Sequence, residues 1–155
     1  MFTNKHVVVA MLVAPMLAIM AWLAVDRFIG EQPHAAKAGA AYSLVAKSNC
    51  RYASGQCDLA NGDFEITLRS SAHSGPGQAI DLASRFPLQR ALLATVEGGT
   101  ETAPAAMRTS DASARRWSGV INQPIGPESR IRLAVTALET TYFAEVPVTF
   151  LEASE

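Results

Sequence analysis

The hydrophobic and polar positions divide this chain into two unlike parts. From Val7 to Val25 there are 19 residues without a formal charge, preceded by Lys5 and His6 and closed by Asp26 and Arg27. As a helix this run would be about 29 Å long, close to the hydrocarbon thickness of a bilayer. Pro15 inside it is tolerable in a membrane helix, and Trp22 near its distal end suits the interface. The run exceeds the ~7–15 apolar residues of a signal peptide. No small-x-small cleavage pattern lies at its end, and Ala38-Gly39-Ala40 is too far downstream. Residues 1–29 are therefore expected to persist as a transmembrane anchor in contact with the lipid bilayer through Val7 to Val25, with cleavage as the alternative. Residues 30–41, rich in small side chains and carrying His34, read as a tether.

From Tyr42 onward the pattern becomes that of strands. Tyr42 to Ala46 is a short candidate, and Asn61-Gly62 between two extended stretches signals a hairpin. Phe64, Ile66 and Leu68 alternate with Glu65, Thr67 and Arg69, one face buried and one wet. Ser70 to Gln78 is a loop by composition. Phe86, Leu88, Leu92, Ala94 and Val96 share a parity that Arg90 interrupts, which predicts a strand with a bulge or bend. Ala105 to Thr109 is weaker. Trp117, Gly119 and Ile121 share a face, placing Trp117 inside, Arg115 beyond the strand's end and Arg116 in solvent. Ile131, Leu133, Val135 and Ala137 alternate with Arg130, Arg132, Ala134 and Thr136, the two arginines reading as a solvated edge. The last strand runs from Tyr142 to Phe150, and Pro147 predicts an edge or a bulge there.

About seven strands with turn signals between them predict an all-β domain over 42–155, an immunoglobulin-like antiparallel sandwich behind one transmembrane helix. A small open barrel is the alternative. The residues left after anchor and tether suffice for one core. From Tyr42 there are ten Lys and Arg against twelve carboxylates, a net charge of −2, so no strong field draws nucleic acid or an anionic surface, and no nucleic-acid partner is expected.

Cys50 and Cys57 are the only cysteines. Outside the cytoplasm they are expected to pair as a structural disulfide. Six residues separate them, unlike the two of a redox motif. Soft-metal binding is the other option. Periplasmic copper sites combine Cys, His and Met, and His73 and Met107 are the further candidates, although no local ligand spacing joins them. Ser70, Ser71, His73, Ser74 and Asp81 lie close in sequence, but without a nucleophile elbow they read as a chance cluster. Arg115-Arg116-Trp117 is the candidate partner surface, since Arg and Trp are enriched at interaction hot spots.

The anchor, the Cys50/Cys57 pair ahead of Asn61-Gly62-Asp63-Phe64, the Trp117-Ser118-Gly119 strand and the final Ile131 to Leu151 hairpin together form a layout. It resembles that of small bacterial membrane-anchored periplasmic β-sandwich proteins, among them FixH-like proteins of copper handling and respiratory oxidase assembly. The tyrosine-rich segment and Met-rich motif of such proteins are missing, so the resemblance supplies no site residues. What it implies is a non-enzymatic accessory protein of the bacterial inner membrane, N-terminus cytoplasmic and domain periplasmic. That protein would need no cofactor and would serve a protein partner of a respiratory or envelope complex. A periplasmic copper-binding chaperone is the alternative.

Overall fold

A computed structural model describes residues 4–28 and 37–152, which fall into two units divided between His34 and Ala35. In the first, α1 (Lys5–Phe28) is a single helix containing Pro15. Its large apolar side chains from Val7 to Leu23 are all exposed, Leu12 at 66% and Trp22 at 68%. The helix is long and apolar enough to cross a membrane, a property that a signal sequence shares. The expected tether lies outside the described residues up to position 36, His34 with it.

The second unit is built of β1 (Ala41–Ser43), β2 (Val45–Ala46), β3 (Gln56–Asn61), β4 (Phe64–Ser71), β5 (Gln78–Ser84), β6 (Arg90–Glu97), β7 (Thr100–Glu101), β8 (Ala105–Ala106), β9 (Arg116–Ile121), β10 (Arg130–Ala137) and β11 (Thr140–Pro147). Short 3₁₀ turns cover Ser48–Arg51 and Val148–Leu151. One sheet has the order β1-β11-β10-β6-β7, with β8 also on β6; the other has the order β2-β3-β4-β5-β9. Every pair is antiparallel except β1 with β11. The first strand changes sheets at Leu44, whose buried side chain joins the core and whose N–H donates to the Phe143 carbonyl.

One apolar layer holds the sheets together. Leu59, Ile66, Leu68, Ile80 and Leu82 come from the second sheet and Leu93, Ile131, Leu133, Val135 and Val146 from the first. The Phe64 ring stacks on Tyr142 across the layer, centroids 3.9 Å apart. Phe150, fully buried, belongs to the closing 3₁₀ turn rather than to a strand. Cys50 and Cys57 are joined in a disulfide, both sulfurs in the core.

Several sequence expectations need correction. The stretch Gln78–Ser84 is a strand inside the second sheet, where the alternation reading saw only the end of a loop. Its adjacent Ala79 and Ile80 are both buried, which breaks period two. The following strand faces the other way from its expected parity: Ala91, Leu93 and Thr95 point into the core, while Leu92, Ala94 and Val96 point outward. The segment after β7 and the Arg132 side chain lie over that outward side, so the sequence is apolar on both faces. The hairpin loop is Gly62-Asp63, with Asn61 paired to Phe64; Gly62 (φ 58°) supplies the left-handed first position. Trp117 faces the core beside Leu82, but on the edge strand β9, so it is only partly buried. Its indole N–H donates to the Ala114 carbonyl at 2.9 Å. Arg115 precedes β9 and Arg116 is exposed. β10 lies between β11 and β6, so Arg130 and Arg132 are not at an edge. Pro147 sits beyond the three residues of β11 that β1 covers, where β11 is itself an edge.

The β10–β11 turn has Leu138 (φ 49°) and Glu139 (φ 62°) as its two central residues. Two positive φ values define a I′ turn, which ordinarily demands Asn-Gly because side chains resist that conformation. Replacing the pair by Leu138→Asn with Glu139→Gly should therefore raise stability by about 1–2 kcal/mol, read as a higher midpoint in denaturant at unchanged slope. Removing the staple with Cys50→Ala and Cys57→Ala should lower stability by about 2.5 kcal/mol on the same measurement.

Candidate functional site

Because side chains alternate along a strand, the outer face of the first sheet is fixed by the same register that fills the core. Across it, Ser43, Phe143, Ala134 and Leu92 stand opposite one another in one row. The next row is Glu145, Arg132 and Ala94. Ala134 and Ala94 are too small to fill the space between their neighbours. A groove of about 580 Å³ results, with Leu92, Pro104 and Phe143 also lining it. Phe143 is 46% exposed in the middle of the sheet's outer face.

A charged row borders the apolar one. The Arg132 guanidinium donates through Nε to Glu145 at 2.9 Å and through a terminal nitrogen to Glu101 at 2.5 Å. Arg130 Nε lies 2.6 Å from the other Glu145 oxygen. The Arg132 hydrogen bond, joined by the charge of Arg130 and opposed by slight desolvation, holds the Glu145 carboxyl below the ordinary glutamate range. With two arginines answering two glutamates, the rim presents no net charge.

The other candidates do not assemble. His73 is exposed in the β4–β5 loop beside Gly75, whereas Met107 is buried against Gly119 and Leu93. Among the described residues no group of His, Cys, Asp and Glu large enough to hold a metal occurs. Ser70 accepts a hydrogen bond from Gln78, and Asp81 stands opposite Arg69 and Ser118 on the outer face of the second sheet. That leaves His73 and Asp81 without the mutual hydrogen bond a triad needs.

The disulfide loop is held by polar contacts rather than opened toward chemistry. Asp58, next to Cys57, accepts hydrogen bonds from Thr67, Gln56 and Asn49 at 2.7 to 3.2 Å. Partial burial pushes its carboxyl up, and these three donors together outweigh that and hold it low. Arg115 and Arg116 are exposed at the start of β9, away from the groove lining. The groove was not foreseen from the sequence. Its signal was the apolar residue count on both parities of the Arg90–Glu97 stretch, together with Phe143 on the wet parity of the last strand.

Comparison with protein families, with curated proteins and with solved structures finds no match. The FixH-like resemblance accordingly rests on the layout of the sequence alone.

The ion pairs make a pH dependence. Glu145 titrates lower in the folded than in the unfolded chain, so its contribution is present above about pH 4.3 and is lost as pH falls through the lower folded value. Thermal melts of wild type and Glu145→Gln should differ at neutral pH and converge as the pH is taken below about 4.

Proposed function

We propose that this chain is a non-enzymatic accessory protein, anchored by α1 in the bacterial inner membrane, that offers the groove of its periplasmic domain to an extended apolar segment of a protein partner. Phe143 is the observation that carries the reading. A large apolar ring stands exposed on the centre of a sheet, beside a groove, where burial in a partner would recover its hydrophobic free energy. The charge-neutral rim suits a partner segment without net charge. The exposed apolar helix supports the anchor, and the disulfide supports an oxidising compartment, hence a cytoplasmic N-terminus and a periplasmic domain. The first strand, divided between both sheets and pairing in parallel with the last, supports an immunoglobulin-like classification of the sandwich.

The test is extraction of full-length protein in mild detergent after a carbonate wash. The protein should stay in the membrane pellet and keep its initial residues, and a membrane-protein partner should co-purify with it. Phe143→Ser, half-exposed and therefore costing about 1 kcal/mol or less, should leave the melt nearly unchanged and lose that partner. A partner set identical for both proteins would sink the groove reading. Binding of copper by the oxidised protein, undiminished by Phe143→Ser, would favour the metal chaperone instead.

A further inference from the structure

Five exposed cations gather at the end of the domain where the chain enters it: Lys37, Arg85, Arg90, Arg115 and Arg116. Backbone and side-chain bonds bring them there. The Lys37 carbonyl accepts from the Thr140 hydroxyl beside the β10–β11 turn. The Gln89 N–H donates to Thr136, the Leu88 N–H to Ala114 and the Ser84 N–H to Arg115. None of the five forms an ion pair with another described residue, which is true also of Arg51, Arg69 and Arg108 elsewhere in the domain, whereas Lys47, Arg130 and Arg132 are paired. The carboxylates of this end are Asp63, Glu65, Asp111 and Glu139, one fewer than the cations; Glu65, whose carbonyl accepts the Arg85 N–H, is ion-paired with Lys47, and Asp111 is turned onto Ser113 and the Arg115 N–H. Glu97 and Glu128 lie at the opposite end, near the β6–β7 turn and the start of β10.

A second, independent feature marks the same end. The three non-glycine residues with positive φ among those described are Ala114, Leu138 and Glu139, and the hydrogen bonds above place all three here. Leu138 is 72% exposed in a conformation that disfavours its side chain. An exposed leucine at a strained hairpin tip contributes nothing to the fold that asparagine would not contribute better. Eight residues separate Phe28 from Lys37, at most about 30 Å of chain.

We propose that this end rests on the headgroup layer of an anionic bilayer, with Leu138 inserted at the interface and the arginines against lipid phosphates. The proposal builds on the anchor reading above and adds a lipid-binding surface to it. Dispersed, flexible cations around one protruding apolar side chain match a diffuse array of phosphates. A lipid surface also lies within reach of the short chain segment that α1 tethers.

Full-length protein in nanodiscs of phosphatidylcholine, with and without phosphatidylglycerol, tests it. Leu138→Cys and Glu128→Cys each carry one bimane label, and lipids spin-labelled at the headgroup supply the quencher. Quenching at position 138 should exceed that at 128 about fivefold in the phosphatidylglycerol discs. The excess should vanish without phosphatidylglycerol, at about 1 M salt, where the Debye length is ~3 Å, and when the four arginines are changed to glutamine. With the label moved to Gln89→Cys, the Leu138→Asn, Glu139→Gly variant should melt higher yet show less quenching, so that loss of contact cannot be ascribed to unfolding. Equal quenching at 138 and 128 in discs that retain the protein overturns the proposal and leaves the anchor standing. So does an excess at 138 that ignores phosphatidylglycerol, or shielding of 138 only when a co-purified protein is present. Protein that never enters the discs overturns the anchor reading and this proposal with it.

Discussion

A two-layer domain buries one face of each sheet and no more. The rest of this structure follows from how the first sheet meets that constraint. Its inner face supplies Leu93, Ile131, Leu133, Val135 and Val146 to the layer shared with the second sheet. Its outer face is also apolar in part, through Leu92, Ala94, Ala134 and Phe143, and among the described residues of the domain no third layer covers it. Pro104 and the Arg132 stem cover part of this surface, and the remainder is the groove. The second sheet met the same constraint differently. Its outer face carries Gln56, Asp58, Glu65, Thr67, Arg69 and Asp81, groups that water or one another can satisfy. The asymmetry between the two outer faces leaves the larger exposed apolar surface on the first sheet.

Stability is distributed unevenly for the same reason. The end of the domain bearing the disulfide is over-determined: a covalent staple, an aspartate with three donors and a buried Phe150 act on neighbouring segments. The entry end is instead where side chains occupy left-handed backbone, at a cost of about 1–3 kcal/mol each. It holds because Thr140 is buried and bonded to Lys37, and because Gly39 and Ala40 bond to the hairpin around it. Natural sequences keep such strain where something other than folding selects the residue.

The legible part of this fold was the part with clean periodicity. Ile131 to Ala137 alternates because its outward positions carry no large apolar side chain, only Arg132, Ala134 and Thr136, and Phe64 to Arg69 does so because its outward positions are polar. Reading failed where both faces of a strand are covered. In Arg90–Glu97 apolar residues fall on both parities, so the choice of face was undetermined and fell the wrong way. In Gln78–Ser84 two successive buried residues concealed a strand. The disulfide was legible from count and compartment. The groove was not, since it depends on which alanines stand opposite Phe143 and Leu92, and register between distant strands is a tertiary property. Trp117 was assigned the right face, but its burial depended on β9 being an edge strand, again a fact of sheet order.

Charge shows the same limit from the other side. The net charge of −2 from Tyr42 onward excludes a strong global field but says nothing about where the charges stand. Register pairs Arg130 and Arg132 with Glu101 and Glu145, so the rim of the groove is neutral within a few ångströms. The turns and strand ends near Lys37 instead collect arginines without partners among the described residues, while Glu97 and Glu128 lie at the other end. A domain whose total charge is small can thus still gather cations locally. Because a charge beyond a Debye length of about 8 Å is screened, it is this local arrangement that a nearby surface would sense.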